Sequence, residues 1–137
     1  MPKNLPLEAM IHLMVVTSAV DRDMTDIELA RIGEVVHAWP VFVDFDPERL
    51  LPVAQECQSM LHEPEGLDGI LVSARAAIPE RLRDTAYAAA YEVAAVDLEM
   101  RVEEVRVLDR LREALGLDDN VAYAIERSAK ARHRMLT

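Results

Sequence analysis

Apolar residues recur along this chain at three- and four-residue steps, the period of a helix with one buried face. In 5–20, Leu7, Met10, Ile11, Met14, Val15 and Ser18 fall on one side, which predicts a first helix ended by Asp21-Arg22-Asp23. Thr25-Asp26-Ile27-Glu28 reads as a capping box opening a second helix to about residue 38, with Ile27, Ala30, Val35 and Val36 inward. The segment 39–45 holds Trp39, Phe42 and Phe45, three of the six aromatics. A lone strand there would have nothing to pair with, so an extended connection is expected, its rings plugging one end of a bundle.

Asp46 before Pro47 is an N-cap with proline at N1, and it predicts a third helix to about residue 62. Leu50, Val53, Ala54, Cys57, Met60 and Leu61 form its stripe, and Pro52 is expected to cost or bend something. A fourth helix is predicted over 65–78 and a fifth over 79–96, the latter alanine-rich on several faces and therefore expected to be central. The sixth, over 102–115, turns Val105, Leu108, Leu111 and Leu115 inward and stops at Gly116. Asp118 caps a seventh, with Val121, Ala124, Ile125 and Ser128 on one side. The pattern predicts an all-α bundle of about seven helices, forming one domain over residues 1–137.

Composition narrows the function classes. Half of the 137 residues are apolar (51%), enough to bury a core, so disorder of the whole chain is excluded. A formal charge of −10 makes nucleic acid a poor partner. Cys57 is the single cysteine, which excludes an internal disulfide framework and a thiolate zinc cluster. No apolar run is long enough for a membrane span, and the first residues lack a signal-peptide core, so a cytoplasmic protein is expected. The charge is uneven: 127–137 carries Arg127, Lys130, Arg132 and Arg134 and no carboxylate side chain. This basic tail is expected to offset the negative end of the last helix.

A shift of 76 residues lays 19–28 over 95–104, matching Ala19, Val20, Asp21, Met24 and Glu28 with Ala95, Val96, Asp97, Met100 and Glu104, and pairing Asp23 with Glu99. Each copy lies where one helix ends and the next begins. This pattern, A-x-D-x-[DE]-[hydrophobic]-x-x-x-E used twice in an all-helical chain, resembles the tellurite-resistance protein B (TerB) family. The runs Glu92-Val93-Ala94-Ala95-Val96-Asp97 and Leu115-Gly116-Leu117 and the ending Ala124-Ile125-Glu126-Arg127 add to the resemblance. It spans roughly 9–134 and is strongest over 79–134.

The resemblance implies a bundle of two pseudo-symmetric halves, in bacterial cytoplasmic proteins linked to tellurite and stress responses, with no firmly attached enzymatic activity. It also implies a divalent cation, calcium or similar, at the acidic turns. Arg22 and Leu98 stand where the family typically has glycine. The candidate ligands are Asp21, Asp23, Glu28, Asp97, Glu99 and Glu104, because a hard cation takes six to eight oxygens and clustered carboxylates supply them. The same carboxylates also suit helix N-termini, where they answer orphan amides and the macrodipole. The capping box already employs Glu28, whereas Arg101, three residues before Glu104, cannot accept from an amide.

Enzymatic signals are few. Glu34 and His37 form one E-x-x-H on a helix, but di-iron carboxylate bundles need two such motifs and two further glutamates. Cys57 lies on an apolar stripe and reads as a small hydrophobe. The expected function is a non-enzymatic TerB-like module acting through protein partners, with self-association open and a divalent cation at its acidic turns. The alternative is a metal-dependent enzyme or metal-sequestering bundle that uses these carboxylates with Glu34 and His37.

Overall fold

Between Leu7 and Ala19 only His12 escapes full burial, so the first helix is apolar on every side and must be surrounded. The computed structural model describes residues 4–96 and 100–136. It places seven α-helices and no strand among them: α1 (Leu5–Ala19), α2 (Asp26–Ala38), α3 (Leu50–Leu61), α4 (Gly66–Ala77), α5 (Arg83–Ala95), α6 (Val102–Leu115) and α7 (Asp119–Arg132). Helix α1 packs against α2, α3, α4, α5 and α6, while α5 packs against α1, α2, α6 and α7. Two helices thus share the centre. Alanine makes this close approach workable: Ala86, Ala89, Ala90 and Ala94 of α5 are all buried.

The 76-residue offset reappears in the helix ends. Ala19 and Ala95 close α1 and α5, and Asp26 and Val102 open α2 and α6, each pair in that register. None of the described helices is long and apolar enough to cross a membrane.

Several expected faces prove rotated. In α2 the buried residues are Ile32, Val35 and Val36, whereas Ile27 is 68% exposed in the first turn and Ala30 faces out. In α6, Glu104 and Val107 join Leu108, Leu111 and Leu115 inside, and Val105 turns outward. In α7 the buried positions are Ala122 and Ala129, with Ile125 partly covered; Val121, Ala124 and Ser128 lie on the surface. In α7 a short side chain lets the helix sit against α5, so alanine occupies the contact and larger apolar residues flank it.

Local chemistry explains the connections. The aromatic segment is a 3₁₀ turn over Pro40–Phe42 rather than an extended strap, with Phe42 and Phe45 in the core and Trp39 half-buried. Asp46 does cap, accepting from the Glu48 amide at 3.0 Å, but it caps a 3₁₀ turn over Pro47–Arg49. The α-helix therefore starts at Leu50, and Pro52 falls in its first turn, where an N–H has no helical acceptor to lose. Gly116 adopts φ +66°, the left-handed stop expected after α6. Asp118 precedes α7 in extended conformation and makes no side-chain cap.

Candidate functional site

The first acidic turn is organised by its own arginine. Thr25 Oγ1 accepts from the Glu28 amide at 3.2 Å and Glu28 Oε1 from the Thr25 amide at 2.9 Å, the reciprocal box its sequence predicts. Arg22 grips the same carboxylate with both terminal nitrogens, at 2.9 and 2.7 Å. Partial burial works to raise the Glu28 pKa, but the Arg22 and Thr25 hydrogen bonds and the Arg22 charge outweigh it and hold the carboxyl below its ordinary value. The Arg22 pKa is raised, chiefly by its hydrogen bond to Glu28.

The second turn uses an arginine too. Glu104 is buried (5% exposed) and accepts from the Arg101 amide at 2.9 Å, with Arg101 Nε 3.4 Å away. Local structure therefore employs Glu104 after all, through the backbone of the residue whose side chain cannot cap. Arg101 also donates to the Ser18 carbonyl at 2.9 Å and lies 3.6 Å from Asp21. Arg22 reaches the same carbonyl at 3.4 Å. A carbonyl in the last turn of α1, which has no helical donor, thus receives a guanidinium from each repeat.

The structure thus brings Asp21, Glu28 and Glu104 to arginines at one end of the bundle. Asp23 is exposed and, with Asp21 and His62, borders a small cavity of about 230 Å³. Asp97 and Glu99 lie outside the described residues. Among the described residues, no three His, Cys, Asp or Glu side chains converge as ion ligands. Glu28 and Glu104 present their oxygens to cations the chain itself carries.

The remaining sequence candidates are dispersed. Glu34 and His37 are both exposed rather than facing the bundle centre. Glu34 borders a cavity of about 190 Å³ shared with Glu92 and His133, which His37 does not line. Cys57 is fully buried, its thiol 3.6 Å from the His12 carbonyl, and burial pushes it up to about 12. So high a value leaves it a thiol, without nucleophilic character at neutral pH.

The basic tail divides around α7. Arg132 and His133 close on Glu92 of α5 at 2.6 and 2.7 Å. Burial acts to raise the Glu92 pKa, and hydrogen bonds from Arg132 and His133 with their charges bring it below the ordinary carboxylate value. Lys130 and Arg134 point elsewhere, to the rim of a groove of about 540 Å³ between α5, α6 and α7.

This groove takes its lining from all three helices. Tyr87, Tyr91 and Ala95 of α5 form its floor, Val105 and Leu108 of α6 one wall, and Met100 closes an end. Tyr87 donates to Glu126 at 2.8 Å, and the two tyrosine rings lie 6.0 Å apart. Burial raises both phenols, Tyr91 to about 12, so each stays protonated at neutral pH and acts as a donor rather than a base. Tyr91 is 5% exposed. Asp109 lies at the outer edge, 4.0 Å from Arg112.

The sequence did not single out this groove. The signals were there in Tyr87 and Tyr91, one turn apart in an alanine helix, and in Lys130 and Arg134 at the same spacing. What could not be read was that α6 leaves a gap between these helices. No family model, curated protein or solved structure matches the chain.

Proposed function

We propose that this chain is a non-enzymatic TerB-like module of bacterial cytoplasmic tellurite and stress responses, working by non-covalent recognition at the groove between α5, α6 and α7. The groove's chemistry carries this reading. A groove of about 540 Å³ that combines apolar lining with convergent polar and charged groups has the form of a recognition site. Its ionisable residues suit binding: the phenols are held protonated and Glu126 is engaged by Tyr87. The sequence resemblance supplies the physiological setting, and the paired helix ends in 76-residue register support the two-half architecture it implies. Protein partners would then read the occupied module.

Survival of a tellurite-sensitive bacterium expressing the chain tests this proposal. Val105 lines the groove and is 44% exposed, so Val105→Glu obstructs recognition while sparing the core. The wild-type chain is expected to raise survival under tellurite, and Val105→Glu to abolish the gain with unchanged helicity and melting temperature. No protection by the wild-type chain, or equal protection by a folded Val105→Glu, would defeat the proposal.

A further inference from the structure

The rim and floor of the groove differ in chemistry. On the floor and wall, Tyr91, Leu108, Met100 and Ala95 line the groove, and Val105 beside them is 44% exposed. On the rim, Lys130 and Arg134 stand four residues apart, and neither has an ion-pair partner among the described residues. Several arginines elsewhere in this acidic protein are ion-paired, among them Arg22 with Glu28, Arg49 with Glu8, Arg101 with Glu104, Arg110 with Asp68 and Arg132 with Glu92. Lys130 and Arg134 place two adjacent cations at the rim of a groove whose floor and wall are partly apolar.

We infer that the groove binds a small amphipathic anion, an aliphatic or aromatic body carrying a carboxylate or phosphate head, with the head at Lys130 and Arg134 and the body on the Tyr91–Leu108 floor. This inference rests on the groove being the recognition site, and it adds the class of ligand. Two carboxylates also border the chamber and fix the direction of binding. Glu126 is occupied by Tyr87, and Asp109 sits at the α6 edge near Arg112. Both repel a head placed deep or toward α6, which leaves the cationic rim of α7. The Tyr91 hydroxyl, on the groove floor, can then donate to a polar atom of the ligand. Arginine and lysine take carboxylates and phosphates through charge-assisted hydrogen bonds, and an apolar body contributes in proportion to the area it buries.

Calorimetric titration of the intact chain with decanoate and decyl phosphate at submicellar concentration, with decanol as the headless control, tests the assignment. At least one anion is expected to saturate at one site and to bind tenfold or more tighter than decanol; the preferred anion identifies the head group. Lys130→Gln/Arg134→Gln is expected to weaken that anion at least tenfold and to leave decanol unchanged. Both substitutions are at exposed positions, so melting temperature serves as the folding control. Flat titrations with both anions, or undiminished anion binding by the folded double variant, would overturn the inference. Tellurite survival that depends on Val105 beside flat titrations would retire the ligand class and leave the recognition reading standing.

Discussion

Arg49 and Glu8 show what single residues do in this fold. Glu8 is 3% exposed on the apolar first helix, and Arg49 Nη2 reaches it at 3.1 Å from the 3₁₀ turn before α3. Removing one partner of a buried pair leaves an uncompensated charge and is strongly destabilising, whereas replacing both with apolar groups is often neutral. Arg49→Ala is therefore expected to cost about 3 kcal/mol in urea unfolding, with Glu8→Leu/Arg49→Leu recovering most of that loss. Equal costs for the single and double variants would show that the pair is incidental. At the acidic turns, Arg22 and Arg101 supply positive charge from within the chain. The melting temperature is accordingly expected to be unchanged by EDTA or by millimolar Ca²⁺. A rise that grows with ion concentration would reveal a native-state cation site. The Thr25–Glu28 box was legible because both partners lie in one turn. The Arg101 bond to Ser18 spans 83 residues, and no local spacing announces it.

Among the elements, helix existence and order were legible, and faces less so. The periodicity that marks a helix also fits a stripe rotated by one residue, and packing chose Ile32 over Ile27 in α2 and Ala122 over Val121 in α7. Pro52 illustrates a boundary effect: the 3₁₀ turn ahead of it shifted the helix start and made the proline harmless. The clamp of Arg132 and His133 on Glu92 ties the end of α7 to α5. Because the folded Glu92 pKa is lowered, the clamp's contribution is present above the ordinary carboxylate range and is lost as pH falls through the folded value. Glu92→Gln at neutral pH should mimic that acid state. Hydrogen exchange is expected to show lost protection in the last turns of α7, with a global cost of about 0.5–1 kcal/mol because Arg132 is half exposed. Unchanged α7 protection would mean that packing of Ala122 and Ala129 alone holds the helix.

On the scale of the whole molecule, the charge of −10 is arranged rather than merely abundant. Acidic turns meet arginines at one end of the bundle, and the surplus cations of the tail lie along the α5–α6–α7 groove. The all-α bundle could be read from periodicity because each helix declares itself locally. The groove could not, since it exists only where α5, α6 and α7 fail to fill the space between them. Recognition at that groove is most directly tested by mapping amide shifts in ¹H–¹⁵N spectra on titration with decanoate. Shifts are expected to concentrate at Tyr87, Tyr91, Leu108 and Lys130 and to leave the Asp21–Glu28 turn unmoved. Shifts centred on that turn or on the cavity bordered by Glu34, Glu92 and His133, or none at all, would contradict the assignment.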